Sequence, residues 1–368
     1  MRKKAAALFV VCASLATSIS CGRNLSHFVY VATPAANQIA AYREDPNSGI
    51  LTALAGSPIP AGNGVEAIAF HPSKKFLYAA NSLESDISIF SVSPFGVITE
   101  KIPAGGRTPV RPGGTNPKFL AIDAAGNFLY VGNIASNNIS VFSIDVSSGL
   151  LTQIQGSPFP IGMTPLNLAL APSGNVLYVT GSGFGPQGII QIFSLSNGVL
   201  SPIEGPLVQP GRSPVGLVID PTGSFLYTAN VQDNTVSGYT IAANGSLTLI
   251  SGFPVGGTLT GPDALLVDPS GKYLFVANGG SNNMAAFSIS AASSGQTGGA
   301  LTLLGNSPFG TDQQPNFIAA DRNGKYVFVG NQVGPAIQSF SLDPGTGTLT
   351  LVASYSVGNT PSSIVVAQ

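Results

Sequence analysis

One short hydrophobic pattern recurs seven times along the chain. It places a bulky apolar residue, a Leu or Val and a central Tyr or Phe before two small or branched residues and a closing residue that is most often Asn. Its copies begin at Phe28, Phe76, Phe128, Val176, Phe225, Tyr273 and Tyr326. Because they follow one another at intervals of 48 to 53 residues, the chain reads as an array of repeated structural units.

Each unit contains four strand-like segments. In the third copy, we predict strands at 119–123, 128–132 and 139–144 and a fourth beginning near Leu150, with turns rich in Gly, Asn and Ser between them. Four such segments in about 50 residues predict a sheet of antiparallel strands. A sheet of this kind has two apolar faces, so it needs a neighbouring sheet on each side, and radial repetition supplies both neighbours.

The two ends of the chain each contain part of one repeat. The first copy begins with a second strand at Phe28, whereas the segment 361–367 matches the first strand of a unit and stops there. We therefore predict an all-β fold: a seven-bladed β-propeller of four antiparallel strands per blade, a single domain over 28–368. N- and C-terminal strands that share one blade would close the ring.

The first 27 residues differ from the repeats. Three basic residues at 2–4 and an apolar stretch over 5–16 precede Cys21, as in a signal peptide over 1–20. The segment before Cys21 is similar to a bacterial lipoprotein box, and an ordinary secretory peptide is the alternative. We expect an exported protein, periplasmic or at the cell surface, anchored by a lipid on Cys21, with a short linker over 21–27 that includes an exposed His27.

The amino-acid composition argues against several classes of function. Only 8% of residues are charged, with 15 basic and 16 acidic side chains, so the chain lacks the basic surface of a nucleic-acid-binding protein. It has two His residues and no Trp, and one of its two Cys residues, Cys12, lies inside the predicted signal peptide. We therefore predict no cofactor, no metal site of recognisable spacing and a monomer that meets the membrane only through its lipid. A calcium site formed by loop carbonyls and Asp side chains stays open.

The repeats resemble the lactonase family of seven-bladed propellers, which includes the 6-phosphogluconolactonases and is related to the YVTN-repeat surface proteins. The resemblance rests on the Leu-Tyr-Val-x-Asn strand, the Asp-Pro-Ser/Thr-Gly turn at 220–223 and 268–271, and the Gly-Ser-Pro-Phe segment at 156–159. It implies the opening of a sugar lactone in the central pocket. The family's Arg-His pair is absent from the matching segments at 116–123 and 213–221, and so is its Asn-Glu pair at the strand ends.

A propeller brings the starts of its innermost strands around one axis. The equivalent positions there hold Glu66, Lys118, Leu166, Val215, Asp263, Asn316 and Ser362. If the protein is a lactone hydrolase, we predict that Lys118 and Arg111 stabilise the carbonyl oxygen and that Glu66 or Asp263 activates water. If it is a non-catalytic propeller, the same groups, with Asn316, would bind a carbohydrate or an envelope protein; solvation of a charged loop is the third interpretation.

Overall fold

Every copy of the recurring pattern forms the second strand of a four-stranded antiparallel sheet, and seven such sheets make up the fold. The structure is a computed structural model and describes residues 27–101, 110–111, 113–183, 185–292, 297–334 and 336–367. We number the sheets as blades 1 to 7 in the order of the copies. The predicted seven-bladed, all-β architecture is confirmed.

Three of the seven sheets carry an additional two-residue strand. Blade 1 contains β1 (His27–Thr33), β2 (Gln38–Glu44), β3 (Leu51–Ala53) and the two-residue β4 (Ile59–Pro60). Blade 2 contains β5 (Val65–Phe70), β6 (Phe76–Asn81), β7 (Asp86–Val92) and β8 (Ile98–Glu100). Blade 3 contains β9 (Pro117–Ile122), β10 (Phe128–Asn133), β11 (Asn138–Ile144), β12 (Leu151–Gln153) and β13 (Phe159–Pro160). Blade 4 contains β14 (Thr164–Leu170), β15 (Val176–Ser182), β16 (Ile189–Ser196) and β17 (Val199–Pro202).

Blade 5 contains β18 (Pro214–Ile219), β19 (Phe225–Asn230), β20 (Thr235–Ile241) and β21 (Leu247–Leu249). Blade 6 contains β22 (Pro262–Val267), β23 (Tyr273–Asn278), β24 (Asn283–Ile289), β25 (Leu301–Leu303) and β26 (Phe309–Gly310). Blade 7 contains β27 (Gln313–Ala320), β28 (Tyr326–Val333), β29 (Ala336–Leu342) and β30 (Leu349–Ser356). The last strand, β31 (Ser363–Ala367), is the innermost strand of blade 1.

The ring closes through the ends of the chain, as predicted. Strand β31 pairs antiparallel with β1, and Phe28 lies opposite Ala367 in that register. A 3₁₀ turn over Pro34–Ala36 is the single helical element in the described part of the chain. No helix there is long and apolar enough to cross a bilayer.

The blades pack through the aromatic residues of the second strands. The central Tyr or Phe of every copy is at most 1% exposed, and several of the tyrosines also donate a hydrogen bond to the next blade. Tyr78 in blade 2, for example, donates to the carbonyl of Gly149 in blade 3 at 2.9 Å. Tyr30, Tyr178 and Tyr227 make the equivalent bond to Gly96, Gly245 and Gly299. The repeated Tyr therefore serves the core and the contact between blades at once.

The first residue of β1 corrects one prediction. His27, expected to be exposed in a linker, is 6% exposed and pairs with Glu44 in the ladder between β1 and β2. Its six equivalents, each the residue just before a second strand, are exposed. His27 differs because its imidazole lies beside the buried carboxylates of Glu44 and Asp321. The predicted signal peptide and Cys21 lie outside the described residues.

Candidate functional site

A β-bulge interrupts the start of the innermost strand in six blades, and it places one unpaired residue at the propeller axis each time. The six bulged residues are Glu66, Lys118, Leu166, Val215, Asp263 and Asn316. In blade 1 the equivalent residue is Ser362, just before the first pair of β31. All seven line one cavity of about 660 Å³, so the predicted convergence of these positions is observed.

The ring of seven residues is divided into a polar and an apolar arc. Around the axis, Asp263, Asn316, Ser362, Glu66 and Lys118 follow one another, and Leu166 and Val215 close the circle. Phe119, Ile134 and Leu217 add further apolar surface to the lining. A small ligand in this cavity would therefore meet hydrogen-bonding groups on one side and aliphatic carbon on the other. The volume suits a small organic molecule.

Glu66 and Lys118 form an ion pair across the boundary between blades 2 and 3. Lys118 Nζ lies 3.7 Å from Glu66 Oε1, and the two side chains are 42% and 24% exposed. A pair this open to solvent adds little stability. It holds the ammonium group at the mouth of the cavity, where it can face a ligand.

Asp263 is a desolvated acid of the ring. Burial raises the pKa of its carboxyl group to about 6, because the charged form is poorly solvated there. The carboxylate packs against Gly279, where an added Cβ would lie 2.6 Å from Asp263 Oδ2. Gly279 follows Asn278 at the end of β23, one of the positions at which the family's Glu is missing, and the absent side chain makes room for the Asp263 carboxylate.

Asn316 and Ser362 occupy the arc between the two acids. Asn316 Nδ2 donates to the Pro361 carbonyl at 3.2 Å, whereas its buried Oδ1 has no hydrogen-bond partner among the described residues. Ser362 Oγ donates to the Glu66 carbonyl at 2.8 Å. These contacts fix the polar side chains in place and leave the Asn316 Oδ1 as an acceptor for a ligand hydroxyl.

Arg111 does not join the ring. It is exposed and follows Val110, which bridges to Ile87 on the third strand of blade 2, and it is not among the residues that line the cavity. Its role as a ligand-binding arm stays a prediction. Asn167, which the sequence did not single out, lines the cavity and donates to the Val215 carbonyl at 2.7 Å. The sequence could have identified Asn167 through its position directly after Leu166, which is one of the seven recurring inner-strand positions.

Among the described residues, the cavity lining holds no group of three His, Cys, Asp or Glu side chains close enough together to bind one metal ion. Within the described ranges, the one group of three closely spaced candidate ligands consists of His27, Glu44 and Asp321. That group lies at the other end of the propeller, because Asp321 follows the end of β27 whereas the ring residues lie at the strand starts.

Seven four-stranded blades around a cavity lined by the innermost strands define a β-propeller with an axial site. The chain belongs to the family described as lactonase, 7-bladed β-propeller, whose model matches residues 24–164, 161–263 and 252–366.

Curated relatives agree with this assignment. The chain is 26% identical over 351 residues to the 6-phosphogluconolactonase of Serratia proteamaculans, covering 92% of this chain and 98% of that protein. It is 28% identical to the 6-phosphogluconolactonase of Blochmanniella pennsylvanica over 123 residues, 33% of this chain, and it spans only 34% of that relative's length.

Two solved structures show the same fold. A candidate 6-phosphogluconolactonase of Bacteroides fragilis superposes with a TM-score of 0.76 at 20% identity, covering 94% of this chain and 99% of the other. The periplasmic gluconolactonase of Pseudomonas aeruginosa gives 0.72 at 18% identity, covering 93% and 99%.

Proposed function

We propose that the protein hydrolyses a small, uncharged lactone in the axial cavity. One observation carries the proposal: the ring places the desolvated carboxyl group of Asp263, which has no salt bridge among the described residues, three blades away from the ammonium group of Lys118. A lactone bound between them would have a proton acceptor on one side and a positive charge on the other. Membership in the lactonase family supports the reaction class.

The proposed reaction uses Asp263 as the general base. Asp263 takes a proton from water while the water oxygen attacks the carbonyl carbon of the lactone. Lys118 stabilises the negative charge that develops on the carbonyl oxygen. When the ring C–O bond breaks, the proton held by Asp263 passes to the departing oxygen, and the product is a hydroxy acid. Asn316 Oδ1 would accept a hydrogen bond from a substrate hydroxyl.

The charge of the cavity favours a substrate without phosphate. Lys118 is the one basic residue among the described residues of the lining, and it is already paired with Glu66. Two carboxyl groups and one ammonium group make the lining slightly acidic near neutral pH. A phosphate dianion would be repelled by this arrangement, and it would find no arginine among those residues.

A comparison of lactones tests the proposal. Purified protein is incubated with glucono-1,5-lactone, its 6-phosphate and an alkyl lactone, and acid release is followed with a pH indicator. We expect turnover above the buffer rate for an unphosphorylated lactone and a lower kcat/KM for the phosphorylated one. Turnover no faster than buffer with all three would overturn the hydrolase and favour a carbohydrate- or protein-binding propeller.

We also propose that the protein is exported and anchored by a lipid on Cys21. The N-terminal basic and apolar segments before Cys21 support this, and a phosphorylated cytosolic sugar is then not its natural substrate. Mass spectrometry of the mature protein from membranes should find a diacylglyceryl-modified Cys21 as the first residue. An unmodified N-terminus located after Cys21 would contradict the anchor.

A further inference from the structure

Three potential metal ligands meet inside the protein, at the junction of blades 7 and 1. His27 begins β1, Glu44 ends β2 beside it, and Asp321 follows β27 in the neighbouring blade. One ligand atom of each residue lies within 4.8 Å of the other two, and all three residues are buried. His27 Nδ1 is 3.5 Å from Glu44 Oε2. Two ligands bound to one tetrahedral zinc ion at 2.0–2.1 Å are about 3.3 Å apart.

The position of Glu44 is unusual within the repeat. The strand registers align it with Val92, Ile144, Leu195, Ile241, Ile289 and Leu342 in the other six blades. All six are aliphatic, as expected for a position that packs between blades. Blade 1 has a carboxylate there instead, with a fully buried side chain. The fold alone gives no reason for this charge.

Several buried polar atoms of the group lack a hydrogen-bond partner in the described part of the chain. Both Glu44 carboxylate oxygens and His27 Nδ1 are buried without a hydrogen-bond partner among the described residues. Asp321 uses Oδ1 to accept the backbone N–H groups of Lys325 and Tyr326. Lys325 Nζ donates to the carbonyls of Pro46 and Asn47. Two buried carboxylates beside one imidazole are costly unless a cation or a proton compensates them.

We propose that His27, Glu44 and Asp321 bind a divalent transition-metal ion of the zinc type that ties blade 7 to blade 1. One imidazole nitrogen and two carboxylates form a donor set that suits Zn²⁺. Ca²⁺ needs six to eight oxygen ligands, more than this group supplies. The site lies at the end of the propeller opposite the axial cavity, so its role is structural and independent of lactone hydrolysis.

The experiment measures metal binding by the full protein after treatment with EDTA and dialysis. Isothermal titration with ZnCl₂ at pH 7 should show one saturable site, and Zn²⁺ should raise the melting temperature. CaCl₂ should do neither. Glu44→Gln should weaken Zn²⁺ binding at least about a hundredfold, because loss of a charged ligand should exceed the 10- to 100-fold effect of losing an outer-shell partner. His71→Gln is the matched control, because both ring nitrogens of His71 already contact Ser73 and Gly126.

A second variant guards against misfolding of the first. Glu44→Leu restores the aliphatic residue type found at this position in the other blades, so it should fold without metal, show no Zn²⁺ binding and gain no thermal stability from Zn²⁺. Binding that survives in both Glu44 variants, binding of Ca²⁺ in preference to Zn²⁺, or the absence of saturable Zn²⁺ binding by the unsubstituted protein would overturn the proposal.

Discussion

At the scale of single residues, the two acids of the axial site differ in their surroundings. Glu66 is held in an ion pair with Lys118, whereas Asp263 has no salt bridge among the described residues and lies against Gly279. From the sequence, either acid could have been the base. We prefer Asp263 in the proposed mechanism, because burial raises the pKa of its carboxyl group and a raised pKa makes a carboxylate a stronger base.

The first residue-scale prediction concerns pH. The pKa of Asp263 is raised to about 6, so the group is protonated and inactive as a base below that pH and ionised above it. We expect kcat/KM, corrected for hydrolysis in buffer, to rise about tenfold per pH unit up to pH 6 and then level off. Asp263→Asn should remove most of the activity and this acid limb, and Glu66→Gln should keep the limb. A limb that persists in Asp263→Asn would exclude Asp263 as the base.

The second residue-scale prediction concerns the charge opposite Asp263. Lys118→Ala should lower kcat by a factor of about ten to a hundred, near or below the usual loss for an oxyanion donor because this side chain is 42% exposed. Lys272→Ala is the matched control, since Lys272 is exposed in the turn after β22, at the opposite end of the propeller. Equal rates for the two variants would remove Lys118 from the mechanism.

At the scale of strands and turns, one glycine contact repeats around the ring. The turn between the third and fourth strands of each blade has a glycine of positive φ that packs on the first residue of the recurring pattern in the preceding blade. The seven pairs are Gly49–Tyr326, Gly96–Phe28, Gly149–Phe76, Gly198–Phe128, Gly245–Val176, Gly299–Phe225 and Gly347–Tyr273. These turns set how closely neighbouring blades approach each other.

A pair of glycine substitutions tests this contact. Gly149 and Gly174 have nearly equal φ values, 74° and 73°, so Ala costs each about 1 kcal/mol of backbone strain. An added Cβ at Gly149 would lie 2.5 Å from the Phe76 ring, whereas nothing lies within 4 Å at Gly174. We expect Gly149→Ala to lower the free energy of unfolding by about 2 to 4 kcal/mol and Gly174→Ala by about 1, measured by urea denaturation. Equal losses would show that the turn does not position the blades.

The repeating elements were the part that sequence could predict. In blade 3, the predicted strand at 128–132 agrees with β10 (Phe128–Asn133) and the one at 139–144 with β11 (Asn138–Ile144), because alternation and turn residues encode strands locally. The seven axial positions were found for the same reason, since they recur at one place in every unit. Because the unit is repeated, each local sequence pattern of strands and turns occurs several times.

Contacts between residues that are far apart in the chain could not be predicted from the repeated pattern. Glu44 falls in an ordinary strand, and only the registers of the other blades show that an aliphatic residue belongs there. His27, Glu44 and Asp321 are separated by up to 294 residues in the chain, so they form no metal-ligand motif. The space that Gly279 leaves for Asp263 is likewise a packing feature. The absence of the family's Glu at this position can be seen in the sequence, but it does not explain the packing.

At the scale of the whole molecule, stability depends on the closure of the ring. Strand β31 supplies the innermost strand of blade 1 and also packs against neighbouring blades, with Ile364 and Val366 near Phe317 and Phe328 of blade 7. It also carries the contact from Ser362 to the Glu66 carbonyl. The end of the chain therefore joins the first blade, the last blade and the axial site.

The last prediction follows from this closure. A chain that ends at Thr360 would lack β31, and both the β1 edge and the apolar faces of blades 7 and 2 would be exposed. We expect its melting temperature to fall by more than about 10 °C and its tendency to aggregate to rise, measured by calorimetry and light scattering. A chain that ends at Ala367 is the control and should match the full protein. Because Pro361, which fixes Asn316, and Ser362 both line the axial cavity and are also lost, turnover should fall even below the new melting temperature. A chain ending at Thr360 that melts with the full protein would mean that β31 does not close the ring.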